Sequence, residues 1–301
     1  MSIAVVISVH DGLVMAADSA STLLVSSASG IAGVANVYDN ANKIFNLYKG
    51  LPIGCIAFGA GSIGNASIGT LMKDLRAQLS DKKKTEELNF NPMNYTMEGI
   101  AGILGRFLEQ ECIKLQSQNP ANLAMTNLGI FLGGYSSTES LSESWSVEVQ
   151  NGVVKPAVRL REKDATGITW GGLGEVIQRI VMGFSPGLFE VLSEVASVGQ
   201  SPASMQQVAP QLQQLLVARL QAQMVFSPMP IQDAIDLGRF LVHAAIMYSR
   251  FTPGPQGVGG PIEIAAITKH EHFKWISRKH YYDKNLNQEP SHVVVDRSNK
   301  D

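Results

Sequence analysis

The chain opens with two short runs of apolar, largely β-branched residues joined by a turn. The runs read SIAVVISV and LVMAAD, and the letters HDG stand between them. This order predicts a β-hairpin. Because both runs are largely apolar instead of alternating with polar residues, we expect each strand to be covered on both faces. A second strand pair is predicted at 43–48 and 52–58, around a Lys-Gly turn.

Farther along the chain, the apolar residues change to helical spacing. Leucine and isoleucine recur every three or four residues in 63–79 and again in 100–115, which predicts two helices. The segment from Ser19 to about Asn36 is rich in Ser, Ala and Gly, and we expect a loop there. Further strands are predicted at 128–132, 146–149 and 153–158, helices at 173–182 and 231–248, and two last strands in PIEIAAIT and FKWIS.

The grouping of these elements favours an α+β fold over a regular βαβ repeat. We expect a four-layer αββα sandwich, in which two antiparallel sheets lie between helical layers. Residues 1–282 are predicted to form a single domain of this kind. Within it, the proline-containing and glutamine-rich stretch at about 185–230 is predicted to be a helical insertion. The polar residues 283–301 are expected to form a loose C-terminal tail.

Composition and charge narrow the classes of function. The chain has 301 residues, of which 45% are hydrophobic, and a formal net charge of −2. Its one basic run, 82–84, is followed after Thr85 by two glutamates, so we expect a solvated loop there and no nucleic-acid binding. With two cysteines, no secretory signal and no apolar stretch near the ~20 residues that span a bilayer, a cytoplasmic protein without a membrane segment is predicted. No cluster with metal-ligand spacing appears, so neither a metal nor a cofactor is expected.

A glycine-rich stretch, Gly59–Gly64, allows two further interpretations. Its letters GAGSIG match the dinucleotide-binding fingerprint, but the segment about 20 residues on reads SDKKKTEEL and contains no apolar strand with an acidic end. The same stretch is close to a nucleophile elbow, with Ala60 in place of the first glycine. A serine hydrolase that uses Ser62 therefore stays an alternative, although it requires a parallel sheet that the pattern does not predict.

The N-terminus offers a different nucleophile. Ser2 follows Met1, and a small second residue is what methionine aminopeptidases accept, so the mature chain would begin with Ser2 and a free α-amine. An α-amine with a pKa near ~7.7 to 8.0 can take the hydroxyl proton at neutral pH. A nearby lysine ammonium would favour both the unprotonated amine and the deprotonated hydroxyl. An aspartate must then hold that lysine.

Three segments follow in an order that resembles proteasome β subunits and their bacterial relatives, which are N-terminal-nucleophile (Ntn) hydrolases. The segments are SIAVVISVHDGLVMAADSAST, NANKIFNL and LPIGCIAFGAG. In that family a nucleophile opens the first strand, a glycine hairpin leads to Ala-Ala-Asp, a later Asn-x-Asn-Lys supplies a lysine, and the next strand ends at a glycine. The late helix and GGPIEIAAIT are also similar, so the resemblance covers about residues 2–278.

Carried over by position, the resemblance implies four site residues. Ser2 stands at the nucleophile, sixteen residues before Asp18, and Lys43 stands at the lysine of the family. Gly59 is expected to supply the backbone N–H of the oxyanion hole, with Phe58 as a one-residue alternative. Such a preorganised donor can lower a barrier by ~3 kcal/mol.

Two stretches depart from the family pattern. The usual Gly-Ser-Gly reads Trp170-Gly171-Gly172, and the usual Asp-x-x-Ser-Gly-Gly reads PQGVGG at 255–260, so an aspartate and two serines are missing. The resemblance implies amide-bond hydrolysis of peptides or unfolded polypeptides by a homo-oligomer, with a ring as one form. A catalytically inactive structural or assembly subunit of the same fold is the alternative. The sequence identifies no partner ATPase.

Overall fold

The fold is that of a computed structural model, which describes residues 2–26, 32–124, 126–162, 165–199, 202–254 and 256–280. The predicted tail at 283–301 lies outside these ranges. Within them, every helix is too short or too polar to cross a lipid bilayer.

The strands follow the order in which the sequence pattern predicts them, with additions. They are β1 (Ile3–Val9), β2 (Gly12–Ala17), β3 (Ser21–Ser26), β4 (Ala32–Tyr38), β5 (Ile44–Asn46), β6 (Ile53–Gly59), β7 (Ser62–Ile63), β8 (Ala66–Ser67), β9 (Leu128–Gly134), β10 (Glu143–Gln150), β11 (Val153–Val154), β12 (Val158–Arg159), β13 (Gly167–Gly172), β14 (Glu263–Thr268) and β15 (His272–Ser277).

The helices include both long central helices that the periodicity predicts. They are α1 (Ile68–Ser80), α2 (Lys82–Glu87), α3 (Met97–Gln118), α4 (Pro120–Ala124), α5 (Glu175–Met182), α6 (Leu188–Gly199), α7 (Pro202–Leu220) and α8 (Ile231–Phe251). Helices α1 and α3 begin at side-chain caps, because Ser67 accepts a hydrogen bond from the Thr70 N–H and Thr96 accepts one from the Gly99 N–H.

Two larger sheets organise the described part of the chain. One sheet has the strand order β13-β1-β2-β14-β15, and the other has the order β11-β10-β9-β6-β5, with β12 also paired to β10. Strands β3 and β4, and likewise β7 and β8, form separate two-stranded sheets. All strand pairs among the described residues are antiparallel, and the predicted α+β class is confirmed.

Strand β1 buries both of its faces, as its apolar run predicts. Its odd-numbered residues belong to an apolar cluster shared with α5 and α8. The residues between them, Ala4 and Val6, belong to a second cluster that includes Ile56 and Phe131 of the other large sheet. A third cluster joins that second sheet to α1 and α3 through residues such as Leu75. The hydrophobic core therefore lies between the two large sheets and on their helix-covered faces.

Three segments differ from the structure that the sequence predicts. The first long helix was expected to begin at residue 63, but 62–67 forms the hairpin β7-β8 and α1 begins at Ile68. The Ser/Ala/Gly-rich stretch after Ser19 was expected to be a loop, but it contains the hairpin β3-β4, paired from Ser21↔Tyr38 onward. The basic run at 82–84 was expected in a solvated loop and instead begins α2, where Asp81 accepts hydrogen bonds from the N–H groups of Lys83 and Lys84. The Ser/Ala/Gly-rich stretch and the run of like charges lack a regular apolar period, so the pattern did not predict these elements.

The aromatic ring of Phe58 fills a space that two glycines leave open. A β-carbon at Gly129, opposite Phe58 on β9, would lie 2.1 Å from the ring, and one at Gly171 on β13 would lie 2.4 Å from it. The ring also packs against Phe131, with 4.7 Å between ring centroids. Phe58 thus contacts both large sheets immediately before Gly59.

We predict that Gly171→Ala destabilises the protein by roughly 1–3 kcal/mol, because its methyl group forces the Phe58 ring out of position. The free energy of unfolding from urea titration measures this. Gly105→Ala in α3 is the matched control, since its methyl group would approach nothing closer than Val147 at 4.0 Å. Equal stability of the two variants would contradict the packing described for Phe58.

Candidate active site

The fold brings Ser2, Asp18, Lys43 and Gly59 to one place at the end of the two large sheets. Ser2 directly precedes β1 and Asp18 directly follows β2, and the antiparallel register of these strands pairs Ala4 with Ala17. Lys43 directly precedes β5 and Gly59 ends β6, and these two strands are also paired. All four residues predicted from the sequence are therefore neighbours, although they lie up to 57 positions apart.

Asp18 is the most fully bonded of these residues. Its side chain is 0% exposed. One carboxylate oxygen, Oδ1, accepts hydrogen bonds from the Lys43 ammonium and from the Ile3 N–H at 2.9 Å. The other, Oδ2, accepts from the N–H groups of Ala20 and Gly259, each at 3.0 Å. Four donors around a buried carboxylate stabilise its charged form.

Lys43 forms a buried ion pair with Asp18, and its side chain is 8% exposed. Burial lowers the pKa of the Lys43 ammonium, and the Asp18 carboxylate opposes that effect. The result is a fixed cation that releases its proton more readily than an exposed lysine.

The backbone N–H of Gly59 donates a hydrogen bond to Ser2 Oγ at 2.9 Å. Gly59 has a φ of +92°, and a β-carbon there would lie 2.6 Å from the carbonyl oxygen of Asn127. A side chain at position 59 is therefore disfavoured both by the left-handed backbone conformation and by the steric clash with Asn127. The position predicted from the sequence to be an oxyanion donor has its N–H group directed at the serine hydroxyl.

The backbone of Ser2 is held at the end of β13, where Trp170-Gly171-Gly172 departs from the family pattern. Its carbonyl oxygen accepts a hydrogen bond from the Leu173 N–H at 2.7 Å. A β-carbon on Gly172, whose φ is +88°, would lie 2.0 Å from the same oxygen. Main-chain groups thus fix Ser2 where the sequence comparison noted missing side chains. Sequence reasoning missed the Leu173 and Gly259 donors, because an amide N–H is present at nearly every position and gives no residue signal.

A recess of about 30 Å³ is lined by Ser2, Lys43 and Gly59. The rest of its wall is made chiefly of small residues, which are Ala20, Ser21, Ala41, Ala57, Ala60 and Gly61. Two larger cavities, of about 520 and 620 Å³, lie away from Ser2 along 217–225 and 88–106. The small recess is bounded by the Ser2 hydroxyl, the Gly59 N–H and the Lys43 side chain, so we place the candidate site there despite its size.

Ser62, the alternative nucleophile, lies in a different setting. It is exposed on β7, and strand β6 leads into this short hairpin before α1 begins at Ile68. A nucleophile elbow instead places its serine on the turn between a strand and a helix, above a parallel sheet. The described residues also contain no group of three or more His, Cys, Asp or Glu side chains that could hold a metal ion.

Comparisons with known proteins identify the fold. No protein-family model and no curated protein matches the chain. An Anbu (ancestral beta-subunit) protein from Yersinia bercovieri superposes with a TM-score of 0.51 and 12% identity, over 92% of this chain and 88% of that one. An Anbu (Gly-1) mutant from Hyphomicrobium sp. strain MC1 has a TM-score of 0.48 and 15% identity, over 95% and 92%. The first similarity shows a shared fold.

These comparisons correct the family predicted from the sequence. The chain was expected to belong to the proteasome β-type Ntn hydrolases, but its structural neighbours are Anbu proteins, which are proteasome-like and form a distinct family. The motifs SIAVVISV, NANK and AFGAG therefore did not identify the family. The roles of Ser2, Asp18, Lys43 and Gly59 must therefore be argued from geometry.

We predict that Asp18 and Lys43 are energetically coupled. Asp18→Asn should destabilise the protein by about 3–5 kcal/mol, because it leaves a buried ammonium without its counter-charge. The same substitution in a Lys43→Met background should cost less, with a coupling of about 0.5–3 kcal/mol. Unfolding titrations of the two single variants and the double variant measure this. Asp236→Asn, which breaks an exposed pair with Arg239, should change stability little. Additive effects at Asp18 and Lys43 would contradict the coupling.

Proposed function

We propose that the chain is an N-terminal-nucleophile hydrolase that cleaves amide bonds through an acyl-enzyme on Ser2, once Met1 has been removed. The observation that carries the proposal is the convergence of a serine hydroxyl, a directed backbone N–H and a buried Lys43–Asp18 pair on one recess. An α-amine on Ser2 would add the base that these groups lack.

The architecture supports the same proposal. One apolar cluster lies between the two large sheets, and one lies between each sheet and its helices. We interpret this arrangement as the four-layer αββα sandwich of Ntn hydrolases, formed by a single domain over 1–282 with the insertion at about 185–230. In that arrangement the first residue of the mature chain opens a central strand, as Ser2 does before β1.

In the proposed acylation step, Ser2 Oγ forms a bond to the carbonyl carbon of the substrate, and its proton passes to the α-amine of the same residue. The carbonyl oxygen becomes an oxyanion that accepts a hydrogen bond from the Gly59 N–H. The carbon–nitrogen bond then breaks, the α-ammonium protonates the leaving amine, and an ester on Ser2 remains. Water hydrolyses this ester with the α-amine again as base, and releases a carboxylic acid.

Lys43 and Asp18 act on this chemistry without bonding to the substrate carbon. The ammonium disfavours a second positive charge on the α-amine and favours negative charge on Oγ. Asp18 keeps that ammonium in place, since its carboxylate also accepts three backbone N–H groups that cannot move independently of the fold. The pair therefore raises the fraction of Ser2 that is ready to react near neutral pH.

The proposal extends to substrate, assembly and location. The resemblance at the sequence level suggested peptides or unfolded polypeptides as substrates, a homo-oligomer with a ring as one form, and the cytoplasm as location. The small residues around the recess support acyl groups with small side chains, because a wall of alanine and glycine encloses only about 30 Å³.

The second candidate function is that of a catalytically inactive structural or assembly subunit of the same fold. The small volume of the recess favours it, since a substrate carbonyl must enter beside Ser2. Reaction of Ser2 with an electrophile separates the two candidates.

We predict that an alanine-derived epoxyketone labels the mature chain at Ser2. The hydroxyl adds to the ketone and the α-amine opens the epoxide, so a ring closes through both atoms and the chain gains the whole mass of the reagent. Intact-mass and peptide mass spectrometry measure the adduct and the loss of Met1. Ser2→Thr should still react, because it keeps both groups, and Ser62→Ala should react normally. Retained Met1, or unchanged labelling in Ser2→Ala, would overturn the proposal.

We predict that Lys43→Met slows this labelling by about 10²–10⁴-fold. Removal of the neighbouring positive charge should also raise the pKa of the Ser2 α-amine, so the acid limb of the rate–pH profile moves to higher pH. Lys114→Met is the control, because Lys114 is an exposed lysine paired with Glu111 on α3. A profile that loses amplitude without moving would assign Lys43 a purely structural role.

A further inference from the structure

A second buried ion pair lies next to the Lys43–Asp18 pair. Lys279 Nζ is 2.9 Å from Glu263 Oε2, and the two side chains are 12% and 1% exposed. A buried ion pair adds little stability on balance, because removing two charges from water costs about as much as their attraction returns. Its presence at this place therefore calls for another explanation.

The Lys279 ammonium connects the two chain segments that carry the Lys43–Asp18 pair. It donates hydrogen bonds to Ser19 Oγ at 2.8 Å and to the carbonyl oxygen of Ala41 at 2.7 Å. Ser19 directly follows Asp18, and Ala41 lies two residues before Lys43. One side chain thus holds both segments.

Glu263 belongs to the third segment around Asp18. Its partner across β2 and β14 is Ala17, which directly precedes Asp18 in the sequence. The loop before β14 is bonded to the same place, because the Gly259 N–H donates to Asp18 and the Ser19 hydroxyl donates to the Pro261 carbonyl oxygen at 2.6 Å. The two ion pairs are therefore joined by one set of hydrogen bonds and charge contacts, in which Glu263 takes part through its ion pair with Lys279.

The charges of the second pair act on Lys43 with opposite signs. Burial has the largest effect and lowers the pKa of the Lys43 ammonium, and Asp18 opposes it. Among the more distant groups, Lys279 lowers this pKa and Glu263 raises it. For Lys279 itself, burial lowers the pKa, Glu263 and Asp18 raise it, and Arg278 lowers it.

We propose that Lys279 and Glu263 are positioning residues of the Ser2 site, which fix the segments carrying Asp18 and Lys43 and tune the charge on Lys43. This inference rests on the proposed function, because it assigns the second pair a role in the chemistry of Ser2. It also explains how a site without the additional aspartate and serines keeps its lysine in place. Sequence reasoning missed both residues, since the letters around Lys279 read as a polar stretch after the last strand.

The test measures the rate of Ser2 labelling by the alanine-derived epoxyketone across pH in the full chain. Lys279→Met should lower the plateau rate by about 10- to 100-fold through misplacement of the lysine. It should also move the alkaline limb, where Lys43 loses its proton, to higher pH. Glu263→Gln should move that limb to lower pH, because it removes a negative charge near the same ammonium.

Three outcomes distinguish an effect on the charge of Lys43 from a general loosening of the fold. Lys279→Arg, which keeps the positive charge at all relevant pH values, should restore most of the plateau rate and the position of the limb. Lys274→Met, at an exposed position on β15, should match the unmodified chain. The inference is overturned if the alkaline limb of the rate–pH profile stays in place in these variants. It is also overturned if the limb moves in the same direction in Lys279→Met and Glu263→Gln. Ser2 labelling in those variants would show that the proposed function itself stands.

Discussion

The site depends on one buried carboxylate. Asp18 lies where the end of β2, the start of β1 and the loop before β14 meet, and it accepts hydrogen bonds from each of them as well as from Lys43. Burying a carboxylate without such partners would cost free energy. With them, it becomes a fixed negative centre that sets the position of a lysine ammonium. The fold and the chemistry therefore share the same group.

Around Asp18, backbone groups make the hydrogen bonds that hold Ser2. The Gly59 N–H points at Ser2 Oγ, and the Leu173 N–H holds the Ser2 carbonyl oxygen. Gly172 leaves room for that carbonyl, and its positive φ turns the end of β13 toward Leu173. Because these groups lie at or next to the ends of paired strands, the fold fixes their positions, and the proposed stabilisation of an oxyanion requires such fixed donors.

The sequence alone predicted the strands and long helices whose apolar period is strong, and it named Ser2, Asp18, Lys43 and Gly59, which the fold brings together. The sequence-based prediction failed where the structure is not determined by a recognisable residue type or period. The β3-β4 hairpin mixes Leu23, Leu24 and Val25 with many small residues and has no regular apolar period, and a backbone donor cannot be recognised from the residue type. The family prediction was wrong, because the structural neighbours are Anbu proteins and short motifs such as Asn-Ala-Asn-Lys did not distinguish the two families.

The central claim is that the first residue of the mature chain carries a hydroxyl and an amine beside a fixed ammonium. The most direct measurement is a crystal structure of the chain without Met1, in which the distance from Lys43 Nζ to Ser2 Oγ is determined. The account predicts that the two atoms lie within hydrogen-bond reach, about 2.6–3.2 Å, or are joined by one water. An ammonium turned away from Ser2, with no water between them, would contradict it.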